Sequence, residues 1–288
     1  MPDAPGGNAV SGFLDDMASL SAARVAQALR HESADALERR ARQAPPSPPL
    51  RLSPQGFDVI AELKLRSPAA GRLGDASQDW LGRVAAYARG GAAAVSVLTE
   101  STRFDGSLDH LRLAAAVLAP LGVPAMRKDF LVDPYQVLEA RAAGAGGVLV
   151  ILRMLARPRI SELLDVAAAH GMFVLLEAFD GDDLRAASEL MTARAAGRGV
   201  LQEPILIGVN SRDLQTLEVV QERFAALAPL LPAGWPAVAE SGVAGGADAR
   251  RMQNLGYRLA LIGTALMAQD DPSPLLREIF HATRTAEP

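Results

Sequence analysis

The sequence predicts a closed (β/α)8 TIM barrel with an N-terminal helical extension. Three observations point there. Eight short runs rich in Val, Ile and Leu alternate with stretches of helical period after residue 57. The runs are almost continuously apolar, as strands are when helices cover both faces of a parallel sheet. Eight such units within 57–288 suit a closed barrel better than an open doubly wound sheet, and no GxGxxG follows the first run.

The elements follow in order. Residues 1–10 are Gly, Pro and small residues with no periodicity, and residues 12–43 carry helical patterning. Five prolines within 44–54 (APPSPPLRLSP) exclude helix and sheet interior there. The chain therefore divides into an extension with a Pro-rich linker, 1–56, and a barrel domain, 57–288. The strands are expected at 57–64, 92–99, 123–128, 146–152, 172–177, 204–210, 236–241 and 258–263. Helices are expected at 79–90, 107–120, 133–144, 158–170, 181–195, 218–228, 246–255 and 272–284. Residues 191–203 (MTARAAGRGVLQE) exceed what a helix-to-strand connection needs and read as a surface insertion without a catalytic role.

Composition narrows the function. The net charge is −4, so an anionic substrate needs a local positive site, and no basic footprint for nucleic acid is present. No run is apolar enough to span a bilayer, and the N-terminus has neither a basic start nor an apolar signal core. With no cysteine, disulfides, thiolate metal sites and a cysteine nucleophile are excluded. Four scattered histidines give no zinc spacing, so no metal is expected. These features together predict a cytoplasmic protein.

Active sites of such barrels lie at the C-terminal ends of the strands. Strand one, VIAELKLRSP at 59–68, ends in Glu62, Lys64 and Ser67, with Glu62 and Lys64 two apart and so on one face. Strand two gives Thr99 and Glu100, and strand three Arg127, Lys128 and Asp129. Strand five gives Glu177, and strand six Asn210 with Arg212 beyond. Strand seven gives Glu240, Ser241 and Gly242, strand eight Gly263 and Thr264; only strand four ends apolar. One such acid–base pair would ordinarily be a salt bridge or a helix cap. Seven polar strand ends at one rim are hard to ascribe to stability, because buried charge is costly without partners. AESGVAGG (239–246) and LIGTALM (261–267) both run from strand through a Gly turn into a helix, the pattern of a phosphate site after strands seven and eight.

Taken with IAELKLRSP (60–68), the motifs SVLTESTRFDGSLDHL (96–111), MRKDFLVDPYQVLEARAAGA (126–145), LLEAFD (175–180), IGVNSRDLQTLEV (207–219), AESGV (239–243) and LIGTALM (261–267) occur in an order that resembles the indole-3-glycerol-phosphate synthase family of tryptophan biosynthesis. RKDFxxDPYQ and GxNxRDL are the specific signals. The resemblance covers roughly residues 57–270, and the helices at 12–43 fit the segment this family places before its barrel. It implies a carboxy-lyase that converts 1-(2-carboxyphenylamino)-1-deoxyribulose 5-phosphate to indole-3-glycerol phosphate, CO₂ and water, with no cofactor and no metal. By the same resemblance Lys128 is the general acid at ring closure and Glu177 the base for later proton removal. Lys64, paired with Glu62, contacts phosphate and carboxylate and supplies the acid for dehydration. Asn210 and Arg212 orient the substrate, and Ser67 and Glu240 join its binding groups. Ser241, Gly242, Gly263 and Thr264 hold the phosphate, while Phe104, Phe130, Pro68 and Leu214 wall the aryl ring.

Ala178-Phe179 depart from the Val-His common in the family, but no implied catalytic group is missing. A phosphoribosylanthranilate isomerase is disfavoured by the absent cysteine. A catalytically silent or substrate-shifted phosphate-binding barrel is the alternative. The expected partner is a small phosphorylated substrate, with no nucleic acid and no membrane; the chain is expected to be a monomer or in weak association with other tryptophan-pathway enzymes.

Overall fold

The computed structural model of the chain describes residues 9–54, 56–67, 71–72, 79–198, 204–214 and 216–284. The apolar runs become eight strands: β1 Asp58–Leu63, β2 Ala94–Leu98, β3 Ala125–Lys128, β4 Gly147–Ile151, β5 Phe173–Ala178, β6 Ile205–Asn210, β7 Ala237–Glu240 and β8 Leu259–Ile262. They close into one parallel barrel in chain order, with β8 paired to β1. Each lies within one or two residues of its expected position. The β1 end leads into a two-stranded hairpin of Arg66–Ser67 and Gly71–Arg72.

Strand alternation splits the core in two. Outward side chains such as Val59, Val95, Val148, Val174 and Ile207 pack under the helices. Inward ones, among them Ile60, Met126, Leu149, Phe173, Leu206 and Leu259, fill the barrel. Linker residues Leu50 and Leu52 pack against this interior, and Arg258 donates to the Ser53 carbonyl at 2.8 Å, tying the Pro-rich segment to the start of β8.

The extension forms α1 (Ala9–His31) and α2 (Ala34–Gln43), with the side chain of Ser33 capping the second. In α1, Leu14, Met17, Ser21 and Val25 are buried at helical spacing. Leu37 and Ala41 of α2 pack on Tyr135 and Leu138 of the barrel helix α5 (Pro134–Ala142). The DPYQ motif explains α5. Asp133 caps it, Pro134 opens its first turn, and Gln136 closes a capping box. Gln136 also donates to Ser21 at 2.8 Å, so this motif docks the extension.

The other barrel helices are α3 (Trp80–Arg89), α4 (Leu108–Leu118), α6 (Arg157–Ala169), α7 (Gly181–Arg198), α8 (Glu222–Leu227), α9 (Gly246–Asn254), α10 (Thr264–Met267) and α11 (Ser273–Arg284). The expected insertion at 191–203 is corrected in part. Residues 191–198 continue α7, with Met191 and Arg194 buried, so this part is helix rather than an added surface loop. The remainder, 199–203, lies outside the described residues.

Candidate active site

The strand ends surround a cavity of about 510 Å³ at the C-terminal mouth of the barrel. Lys128 ends β3 and faces Glu177 of β5 across 3.6 Å. Asn210, at the end of β6, donates its amide to Glu177 Oε1 at 3.2 Å. Its own Oδ1 accepts from the Ser241 hydroxyl (3.1 Å) and the Arg212 backbone N–H (2.9 Å). Glu62 of β1 and Lys64, just beyond its end, pair at 2.9 Å. Two lysine–glutamate pairs therefore share the mouth with a third carboxyl group, Glu240 of β7.

Glycines make room for these acids. In the barrel register Asn210 pairs with Glu240, and Glu177 pairs with Gly208. A Cβ on Gly208 would collide with the Glu240 carboxyl, and one on Gly263 would collide with that of Glu62. Glu62, Glu177 and Glu240 are all buried. Among the described residues, neither oxygen of Glu240 has a hydrogen-bond partner, and Oε2 of Glu177 has only the Lys128 ammonium at 3.6 Å. Unsatisfied buried oxygens are rare in native proteins, and here they line a cavity that a polar ligand can fill.

Charge is distributed unevenly. Burial disfavours the charged form of Lys128, but Glu177, Glu62 and Glu240 outweigh it and hold the ammonium above its ordinary pKa. Burial would raise Glu62, yet Lys64 and Lys128 hold it below the ordinary value. Glu240 is pushed well above the carboxylate range by burial and by the charge of Glu177. The site thus sets a stabilised ammonium beside Glu62, held below its ordinary pKa, and Glu240, held above it. Among the described residues no cluster of three or more His, Asp or Glu side chains is arranged to hold a metal ion.

Opposite the charges stands an apolar wall. The Phe130 ring meets Phe13 of α1 edge-on at 5.9 Å and Phe104 of the loop after β2 at 6.2 Å. Leu214, Ile151 and Phe179 also line the cavity. The third side is the turn after β7, where Ser241 (φ 68°) and Gly242 (φ 80°) are both left-handed, together with Gly263 and Thr264 after β8.

Of the residues expected at the site, Glu62, Lys64, Phe104, Lys128, Phe130, Glu177, Asn210, Arg212, Leu214, Glu240, Ser241, Gly242, Gly263 and Thr264 all line this one cavity. Ser67 sits in the hairpin after β1, and Pro68 lies outside the described residues. Three rim residues are corrected. Thr99, Glu100 and Arg127 do not line the cavity. Arg127 alternates with Lys128 and so points away, donating to the Gln136 carbonyl (2.7 Å), Thr99 (3.1 Å) and Glu139 (3.0 Å). Asp129 touches the cavity but is held by Arg127, Thr99, the Phe130 N–H and Arg24 of α1. Glu100 is held by Arg24 and by the Thr102 and Arg103 N–H groups. This cluster lies behind the site and clamps α1 to it.

Phe13 and Leu14 of the extension, and Leu217, Val219 and Gln221 after β6, also line the cavity without having been expected there. The helical pattern of 12–43 marks an apolar face but not the surface that face covers.

Known proteins resemble this chain over most of its length. The family model for indole-3-glycerol phosphate synthase matches residues 14–279. The indole-3-glycerol phosphate synthase of Parafrankia sp. (strain EAN1pec) is 40% identical over 277 residues, covering 96% of this chain and 96% of the relative. That of Mycobacterium tuberculosis (strain CDC 1551 / Oshkosh) is 38% identical over 267 residues, covering 91% and 92%. Among solved structures, 3-hexulose-6-phosphate synthase from Salmonella typhimurium aligns with a TM-score of 0.59 at 13% identity, over 78% of this chain and 98% of that one, a likeness of fold alone. On the extent of these matches, the chain belongs to the indole-3-glycerol phosphate synthase family.

Proposed function

We propose that the chain acts in tryptophan biosynthesis as an indole-3-glycerol phosphate synthase, a carboxy-lyase acting on 1-(2-carboxyphenylamino)-1-deoxyribulose 5-phosphate. The observation that carries this reading is the pair of half-buried Lys128 and buried Glu177, with Asn210 on Glu177, sharing one cavity with an aromatic wall.

The residues divide the reaction as follows. Phe130, Phe104 and Leu214 hold the aryl ring against the ribulose carbonyl, so orientation lowers the barrier before any proton moves. The aryl carbon that bears the carboxylate attacks the carbonyl carbon. A C–C bond forms, the π pair moves to oxygen, and Lys128 supplies its proton. An ammonium aimed at the developing oxyanion stabilises it most where water is excluded. CO₂ then leaves, and its bonding pair restores the aromatic ring. The new hydroxyl departs as water with a proton from Lys64, while Glu177 takes the proton from the adjacent carbon. Each proton transfer of this kind contributes roughly 10²–10⁴-fold.

Arg212 has its guanidinium bonded to the Leu217 carbonyl at 2.6 Å, which fixes it beside Asn210 for the substrate carboxylate. The turns 241–242 and 263–264 take the phosphate through backbone N–H groups. Ser67 and Pro68 join the substrate-binding groups, as the family resemblance implies. We place the enzyme in the cytoplasm, as a monomer that needs neither metal nor cofactor. None of the described helices is long and apolar enough to cross a membrane. The test is turnover by purified protein in chelator, following indole fluorescence and CO₂ together. One CO₂ per indole supports the reading. Tight binding of the substrate with no product would instead favour a silent phosphate-binding barrel.

A further inference from the structure

We propose that Gln221, which precedes α8, is a positioning residue that aims the turn after β7 at the substrate's phosphate, with Arg251 of α9 locking it in place. The inference rests on reading that turn as part of the phosphate site. Gln221 lines the cavity, and its Nε2 donates to the Gly242 carbonyl at 2.5 Å. Its Oε1 accepts from the Arg251 guanidinium. A carbonyl can only accept and a guanidinium can only donate, so the two contacts fix which way the amide faces.

The consequence follows from peptide geometry. In a planar trans peptide the C=O and the next N–H point in opposite directions. Pinning the Gly242 carbonyl on Gln221 therefore turns the Val243 N–H the other way. Among the described residues, the Gly242 and Val243 N–H groups have no partner, whereas the Ala244 N–H is taken by Asp248 at 3.0 Å. Two adjacent free donors in a left-handed turn form a concavity suited to an anion. Packing keeps this turn fixed. A Cβ at Gly242 would lie 2.6 Å from Gln221 Nε2 and 2.7 Å from Val219 Cγ1, so only glycine admits the close approach. Release of the carbonyl would leave two consecutive left-handed residues, Ser241 among them, free to relax.

The test compares wild type, Gln221→Leu, Gln221→Glu and Arg251→Lys. Readouts are KM and kcat for the substrate, competitive inhibition by inorganic phosphate, and inhibition by the dephosphorylated substrate. Gln221→Leu loses both contacts, and Gln221→Glu loses the donor to Gly242. In each, phosphate inhibition should weaken roughly ten-fold, the scale of one charge-assisted hydrogen bond. KM should rise by a similar factor, and kcat should change by less than KM. Inhibition by the dephosphorylated compound should stay within two-fold of wild type, which general damage to the pocket would not allow. Arg251→Lys keeps a donor for Oε1 and should retain most of the phosphate affinity. Wild-type phosphate affinity in Gln221→Leu, or equal weakening of both inhibitors, overturns the inference. If phosphate fails to compete in the wild type, the phosphate reading of the turn falls, and the inference with it.

Discussion

Arg24→Met tests how the extension is fastened to the catalytic rim. Arg24 reaches Glu100 Oε1 at 3.2 Å and Asp129 Oδ1 at 2.7 Å, and both carboxylates are buried. The substitution keeps most of the side-chain volume and removes one charge from a cluster of Arg24 and Arg127 with Glu100, Asp129 and Glu139. Breaking a buried pair costs about 3–5 kcal/mol when the remaining ion is left alone. Here each acid keeps other donors: Thr102 and Arg103 N–H for Glu100, and Thr99, Arg127 and the Phe130 N–H for Asp129. Arg24 is also 28% exposed, so water replaces part of what is lost. The expected cost is about 2–3 kcal/mol at neutral pH, read as a lower urea midpoint. The pH dependence has a definite sign. Burial raises the Asp129 pKa, but Arg127 and Arg24 bring it below the ordinary value. Its stabilisation is therefore present above the unfolded carboxylate value of about 4 and is lost as pH falls through the lower folded value. Removing Arg24 raises the folded value, so the gap between wild type and variant should be full at neutral pH and narrow below about pH 4. A variant as stable as wild type, or a gap that widens with acid, would refute the clamp.

Glu240→Gln should be stabilising above the unfolded glutamate value of about 4.3, by an amount that grows with pH, because a carboxyl group with a raised folded pKa loses stability as pH rises. Urea melts at pH 5 and pH 8 check this, and equal shifts at both would contradict it. Gly208→Ala should lower kcat/KM by displacing the Glu240 carboxyl, with a stability cost of about 1–3 kcal/mol from overpacking. Unchanged kinetics would show that the glycine does not set the Glu240 position. Phe130→Ala removes contacts with both Phe13 and Phe104 and should lower stability, by less than the roughly 3–5 kcal/mol of a fully buried Phe, together with a raised KM for the substrate. The combined stability and kinetic assay fails this reading if only one of the two changes.

All eight strands could be read from the chain because each is a short, nearly uniform apolar run, the pattern that burial on both faces imposes. The polar ends of those runs located Lys128, Glu177, Asn210 and Glu240 at one rim. The mistaken rim residues show what such a reading overlooks. Arg127 and Lys128 are adjacent and must face opposite ways, a rule available in the sequence that separates a support group from a site group. The contribution of Phe13 was not available in that way. It meets Phe130 across more than a hundred residues of chain, and only the docking of α1 through Ser21 and Arg24 brings them together. The role of Gln221 was hidden for a similar reason, since it depends on a left-handed turn and a helix that lie in other units of the barrel. Residues 191–198 exceed the length of a connection, yet their Ala and Arg content favours continuing α7.

On the proposed mechanism, Lys128 gives the proton that permits ring closure. Single-turnover indole fluorescence with Lys128→Met and wild type at saturating substrate checks this role. A fall of roughly 10²–10⁴-fold in the rate of indole formation, with competitive inhibition by inorganic phosphate retained, is the predicted result. Wild-type rates in the variant would place the acid elsewhere in the site and contradict the account.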